Sequence, residues 1–258
     1  MDLTLFSMEK FQAFLICLAR VGSLVAVMPI FSGGQVPVRI RVGLAVMLAI
    51  LVFPVVEATI PAIAFDPFVL ALLMAREALV GLMLAFVAQF VFSAVILGGT
   101  VVSYKMGFAA ANIFDPQTQK QISVVPQFQN VVAILIFLSL DMHHLFLRAI
   151  VESFELLAPG TADVSGDAIT YIIDLSVTIF VLGVKLSAPV LAILILSSLV
   201  LGVMARVFPQ LNVFFLSFPL NIGIAFIVIG LTMSLFVTIL AREFQKLPEQ
   251  FMTLFELL

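Results

Sequence analysis

Three long apolar stretches of this 258-residue chain carry charges in their interiors. Arg20 lies within 11–31, Arg76 and Glu77 within 67–97, and Lys185 within 169–201. A charge that faces lipid at mid-depth costs a few kcal/mol on insertion scales and more in simulations. These side chains are therefore expected to face protein or water, and the chain has few charges of its own to pair with them. The combination predicts one piece of a larger helical assembly at a membrane.

Composition narrows the class. Hydrophobic residues make up 63% of the chain and charged residues 10%, whereas soluble domains carry about 25% charged residues. That much apolar surface cannot be hidden in a water-soluble core of this length, so an integral membrane protein is expected. The formal net charge of −3 lacks the basic footprint of a nucleic-acid binder. The single cysteine, Cys17, excludes an internal disulfide and a CxxC metal site, and its apolar surroundings mark it as a packing residue. Asp2 and Glu9 precede Lys10, the reverse of a signal peptide, so the first apolar segment is expected to stay as a helix.

Six apolar segments are predicted, at 11–31, 42–56, 67–97, 124–140, 169–201 and 212–240. A helix crossing lipid needs about 20 apolar residues. The second and fourth segments are short for that and the third and fifth are long. Such uneven lengths suit helices packed against protein. The runs are continuously apolar rather than alternating, which predicts an all-α chain and not a membrane β-barrel. Pro29, Pro37, Pro54, Pro61, Pro67, Pro159 and Pro248 fall at segment ends or in loops. Pro189 and Pro219 lie inside apolar runs, where each is expected to kink or break its helix. The loops alternate in charge. Loop 32–41 holds Arg39 and Arg41, loop 98–123 holds Lys105 and Lys120 against Asp115, and loop 202–211 holds Arg206. Loop 57–66 holds Glu57 and Asp66, and loop 141–168 holds five acids against Arg148. The positive-inside rule places the basic loops in the cytoplasm and the N-terminus outside.

Small residues mark helix contacts. Gly99, Ser103, Gly107 and Ala111 recur every four residues, as do Ala94 and Gly98 before them. In a helix they form a smooth stripe that another backbone can approach. Glu77, Gly81 and Ala85 form a second stripe, which aims the carboxylate into a helix–helix contact.

Catalytic signatures such as HExxH, GxSxG and a phosphate-binding loop are absent. His143 and His144 are adjacent, so on a helix they are expected to point apart. Without a cysteine or a second histidine pair they read as polar residues at a helix end. No catalytic, cofactor-binding or metal-ligating residue is expected. The interior charges have two readings. They relay protons or bind a substrate, as in transporters, or they form interhelical pairs that fix register. The lack of an intramembrane chain of Asp, Glu or His favours the second. Asp174 and Lys185 share a helix face but lie about 16 Å apart, too far to pair. Arg76 and Glu77 are neighbours that seek separate partners. The stretch 105–124, KMGFAAANIFDPQTQKQISV, has apolar tips at Met106, Phe108, Ile113 and Phe114 among the breakers Gly107, Asp115 and Pro116. It reads either as a surface loop or as a re-entrant segment that lines or plugs a cavity.

Residues 201–219, LGVMARVFPQLNVFFLSFP, resemble the FliR family of flagellar export-gate proteins. The resemblance rests on Pro209-Gln210-x-Asn212-Val213-Phe214 followed by Ser217-Phe218-Pro219. It extends to Arg20 with Pro29-Ile30-Phe31, Pro37 and Arg39, to Arg76-Glu77-Ala78-Leu79-Val80-Gly81-Leu82, and to Lys185-x-x-x-Pro189-Val190, in order along the chain. Virulence-secretion subunits share that fold. The resemblance implies a single helical export-gate domain over 1–258, with a FliP-like part over about 1–205 fused to a FliQ-like hairpin over about 206–258. It implies a closed pore in which one copy joins several copies of FliP and FliQ, with FlhB at the cytoplasmic side, and through which unfolded flagellar subunits pass. Localisation would be the bacterial inner membrane, at the flagellar basal body, with the complex raised largely out of the bilayer plane. The pore plug would map to Met106–Ile122, with Met106, Gly107, Phe108, Ile113, Phe114 and Asp115 in it. Arg20, Arg76, Glu77, Gly81, Lys185, Pro209, Gln210, Asn212, Phe214 and Pro219 would serve assembly and packing. The alternative reading is a secondary transporter or proton-conducting protein, which breaks at Pro189 and Pro219 would favour and the lack of inverted repeats opposes.

Overall fold

The computed structural model describes residues 8–32, 36–60, 66–107, 124–162, 164, 166–210 and 212–258. Among them every regular element is a helix. The order is α1 (Met8–Val27), the single turn α2 (Pro29–Ser32), α3 (Val38–Val56) with a 3-10 turn at Glu57–Thr59, and α4 (Pro67–Met106). There follow α5 (Val124–Ser139), α6 (Met142–Leu156), α7 (Gly166–Val207), α8 (Val213–Leu231), α9 (Met233–Phe244) and α10 (Leu247–Leu257). α1, α3 with its 3-10 turn, α4 and α7 are each long and apolar enough to cross a membrane, and there are up to six spans if two bent helix pairs count as one each.

Local chemistry sets several boundaries. Oδ1 of Asp66 accepts the N–H of Phe68 at 2.9 Å and Pro67 opens α4, so an acidic cap precedes a residue with no donor to lose. α4 ends where Gly107 takes φ +98, a left-handed conformation that glycine adopts without a steric penalty.

Two helices lie outside the six expected apolar segments. α6 occupies most of the expected acidic loop 141–168. It buries Phe146, Ala149, Ile150, Ser153 and Phe154, the spacing of one helix face, while its acids face outward. α10, beyond the last expected segment, buries Leu247, Phe251, Leu254 and Phe255 in the same way. Of the expected kink or break at Pro189 and Pro219, the break does not occur: α7 continues through Pro189 and α8 through Pro219. A proline removes one backbone donor, and the helical bonds on either side hold each run together.

The chain folds as two units. One comprises 1–90, 137–176 and 244–258. In it α1 packs on α3, with Cys17 buried and its Sγ 4.0 Å from the carbonyl of Ala49. Aromatic rings join α5, α6, α9 and α10. Phe137 meets Phe146 and Phe244 at centroid distances of 5.8 and 5.4 Å, and Phe146 meets Phe251 at 5.1 Å. The other unit comprises 91–136 and 177–243. Its core joins Val102 and Met106 of α4, Val125 of α5, Val190 and Leu194 of α7, and Ala225 and Ile229 of α8.

Candidate functional site

Among the described residues, Arg20 and Glu77 are the two charged side chains that are fully buried. They meet. Nε of Arg20 donates to Oε2 of Glu77 at 2.6 Å, and Nη2 lies 2.5 Å from the same oxygen. The guanidinium does more than neutralise a carboxylate. Nη1 donates to the carbonyl of Ser153 at 2.6 Å and to its hydroxyl at 3.1 Å, and Nη2 donates to the carbonyl of Leu157 at 3.2 Å. Its central carbon, Cζ, lies over the ring of Phe154, 4.1 Å from the centroid. The other carboxylate oxygen, Oε1, accepts the backbone N–H of Gly160 at 3.0 Å.

This node ties α1, α4 and the C-terminal end of α6 together. A helix end leaves carbonyls without intrahelical partners and carries partial negative charge, so a cation there is favourable. Only arginine offers the planar fork of donors needed to reach two carbonyls and a carboxylate at once. Gly81 makes the approach possible. A Cβ at Gly81 would run into the carbonyl oxygen of Arg20 and the hydroxyl of Ser23, so the backbones of α1 and α4 touch one turn from Glu77. Gly160 holds the left-handed φ of +87 that presents its N–H to Glu77.

The other residues singled out from sequence fall in several places. Arg76 and Glu77 do take separate partners: Arg76 is exposed and its Nη1 reaches the carbonyl of Gly160 at 3.5 Å. Of the two readings of the interior charges, Arg20 and Glu77 follow the interhelical pair: although the chain has few charges, Glu77 supplies the partner of Arg20. Lys185 is exposed on α7. In the second unit a Cβ on Gly98 would lie 2.9 Å from the carbonyl of Gly183, so α4 and α7 pack backbone to backbone there. Gly99 faces Pro126 and Gln129 of α5 instead. The stripe of small residues stops at Ser103, because Gly107 has left the helix and Ala111 lies outside the described residues.

Met106 is corrected. Expected as an apolar tip of the plug, it is the last residue of α4 and is fully buried beside Val102, four residues earlier on the same face. Gly107 stands at the root of the loop, where a Cβ would press on the ring of Phe218. Phe108, Ile113, Phe114 and Asp115 lie outside the described residues. Pro209 and Gln210 are exposed. Asn212 caps α8, its Oδ1 accepting the N–H of Phe215 at 3.4 Å. Phe214 and Pro219 belong to α8, and Pro219 is exposed. His143 and His144 do not point apart: their ring centroids are 4.1 Å from each other.

Sequence reasoning missed Ser153, Phe154, Leu157 and Gly160. A backbone carbonyl acceptor carries no residue signature. The one local signal was Pro159-Gly160, a turn dipeptide directly after an amphipathic run.

The sequence pattern of the family described as "Bacterial export proteins, family 1" matches residues 11–247. The chain belongs to that family. Within it, the chain is similar to proteins named flagellar biosynthetic protein FliR. The one from Bacillus subtilis (strain 168) is 35% identical over 239 residues, covering 92% of each chain. The one from Escherichia coli (strain K12) is 30% identical over 208 residues, covering 80% of this chain and 78% of its own. The one from Caulobacter vibrioides is 27% identical over 243 residues, covering 93% and 97%. The FliR-family match spans both folding units and includes Arg20, Glu77 and the Pro209–Pro219 stretch.

Proposed function

We propose that this chain is a structural pore subunit of the flagellar protein-export gate in the bacterial inner membrane, at the flagellar basal body. It acts without a catalytic residue or cofactor. One copy assembles with several copies of FliP and FliQ, with FlhB at the cytoplasmic side, and unfolded flagellar subunits pass through the closed helical assembly. The FliP-like part is 1–205 and the FliQ-like part 206–258. The observation that carries this reading is the family match over 11–247, together with relatives named for flagellar biosynthesis.

The surface supports it. The Pro209-Gln210-x-Asn212 motif is flanked by exposed Val207, Phe208, Phe215 and Leu216. An exposed apolar surface of this kind suits a neighbouring helical subunit better than water. α7 likewise exposes Val177, Phe180, Val181 and Val184. The Arg20–Glu77 node serves register: a buried ion pair satisfied on both sides allows one axial alignment of α1 on α4. Residues 108–122 form the plug, rooted at Gly107. The transporter reading loses its motive, since neither Pro189 nor Pro219 breaks its helix.

The test is co-expression of this chain with its genomic neighbours, affinity capture and native mass spectrometry. A large complex with one copy of this chain and several copies of two small helical membrane proteins is the expected result. A stable monomer or homodimer that retains no partner overturns the proposal.

A further inference from the structure

The turn that opens α6 brings together three side chains of metal-ligating type that the export role leaves unused. Asp141, His143 and His144 each place one ligand atom within 4.8 Å of the other two. Nδ1 of His144 lies 3.5 Å from Oδ1 of Asp141. Adjacent residues on a regular helix diverge by about 100°, yet the centroids of these two imidazoles lie 4.1 Å apart with the rings tilted by 39°, next to an Asp141 in the left-handed region at φ 56.

Two features of this turn have no explanation within the helix itself. An aspartate at the N-cap position ordinarily accepts a hydrogen bond from a first-turn N–H. The carboxylate of Asp141 makes no such bond and lies beside the His144 ring instead. Nδ1 of His143 is buried and has no hydrogen-bond partner, a condition that native structures rarely leave unresolved. A cation held by the three side chains accounts for both: it takes the lone pair of the orphaned ring and the oxygen that the helix does not use.

We propose that Asp141, His143 and His144 bind a divalent transition-metal ion of the zinc class. Two imidazoles with one carboxylate suit zinc, nickel or copper, whereas calcium and magnesium favour oxygen-only shells. Ligand atoms sit about 2.0–2.2 Å from zinc, hence about 3.4 Å from one another in a tetrahedral site. The His144–Asp141 separation already matches that, and a small side-chain rotation brings in His143. The side chains of Asp141 and His144 are 75% and 61% exposed, so an ion reaches them without any unfolding. Three protein ligands leave a position open to water or to a fourth donor. The bound ion ties the first turn of α6 to the Leu140–Asp141 turn, at the opposite end of the helix from the carbonyls held by Arg20.

The test uses the full-length chain in detergent, without a polyhistidine tag and freed of metal by a chelator. Co²⁺ is titrated as a spectroscopic probe and Zn²⁺ is then added in competition. The expected result is one Co²⁺ per chain, with a visible ligand-field band that Zn²⁺ abolishes. His143→Ala with His144→Ala should weaken Co²⁺ binding by on the order of tenfold to a hundredfold or more. The single exposed change His144→Gln should show the same direction of loss and serves if the double variant does not fold. No Co²⁺ uptake by the wild-type chain overturns the proposal, and so does uptake that the substitutions leave unchanged.

Discussion

Replacing Glu77 by alanine removes one side chain and leaves a buried cation behind. Arg20 would keep its contacts with the Ser153 and Leu157 carbonyls and lose both contacts with Oε2. The N–H of Gly160 would lose its acceptor as well. Breaking a fully buried pair by deleting one partner costs about 3–5 kcal/mol, a large share of the roughly 5–15 kcal/mol by which folded domains are stable. The loss should appear first as reduced recovery of the chain with its partners, then as a lower melting temperature in detergent. Two further variants separate the ion pair from general packing. Glu77→Gln keeps the shape and an oxygen for Gly160 and should cost less than Glu77→Ala. Arg20→Met combined with Glu77→Leu removes both charges and should be closer to wild type than either charge deletion alone, because no unpaired charge stays buried. The coupling from that double-mutant cycle is the decisive number. Glu77→Ala at normal yield and melting temperature, with coupling near zero, would refute the reasoning.

Other perturbations test the neighbouring contacts. Gly81→Ala places a Cβ against the Arg20 carbonyl and should destabilise by about 1–3 kcal/mol, while Gly22→Ala, with nothing within 4 Å of its Cβ, should be neutral or slightly stabilising; equal melting temperatures would discount the α1–α4 contact. Asn212→Leu removes the cap of α8 and should cost about 1 kcal/mol, lowering complex yield, with Asn212→Asp restoring it; unchanged yield and secretion for the leucine variant would argue against that role. Replacing 108–122 by a short Gly/Ser linker should make cells permeable to ions, read as a collapse of membrane potential, and an intact potential would remove the plug assignment.

Helix content and membrane class were legible because both are local properties. A continuous apolar run has few alternatives to a helix where backbone groups find no water, and α1, α3, α4, α5, α7 and α8 all lie on runs visible in the sequence. Where the expectation fell short, more polar helices were passed over, and the region of α6 was read as a loop. α6 and α10 are amphipathic and carry several acids, so hydropathy alone passed over them, although Phe146, Ile150, Ser153 and Phe154 keep the helical period. The stripe Glu77–Gly81–Ala85 correctly pointed the carboxylate into a helix contact. Met106 was misplaced because a methionine beside a glycine marks a loop root and a last helical turn equally well.

By itself the sequence determined that this chain is helical, that it belongs in a membrane, that it is a member of an export-protein family, and that its interior charges need partners. Those conclusions follow from composition, short-range periodicity and motif order. Only the tertiary structure decided who the partners are. Arg20 and Glu77 are separated by 57 residues, and Ser153 by 133 from Arg20. Nothing in the intervening chain encodes those distances. They arise where Gly81 lets two backbones touch, and where the end of α6 turns the carbonyls of Ser153 and Leu157 toward the guanidinium of Arg20.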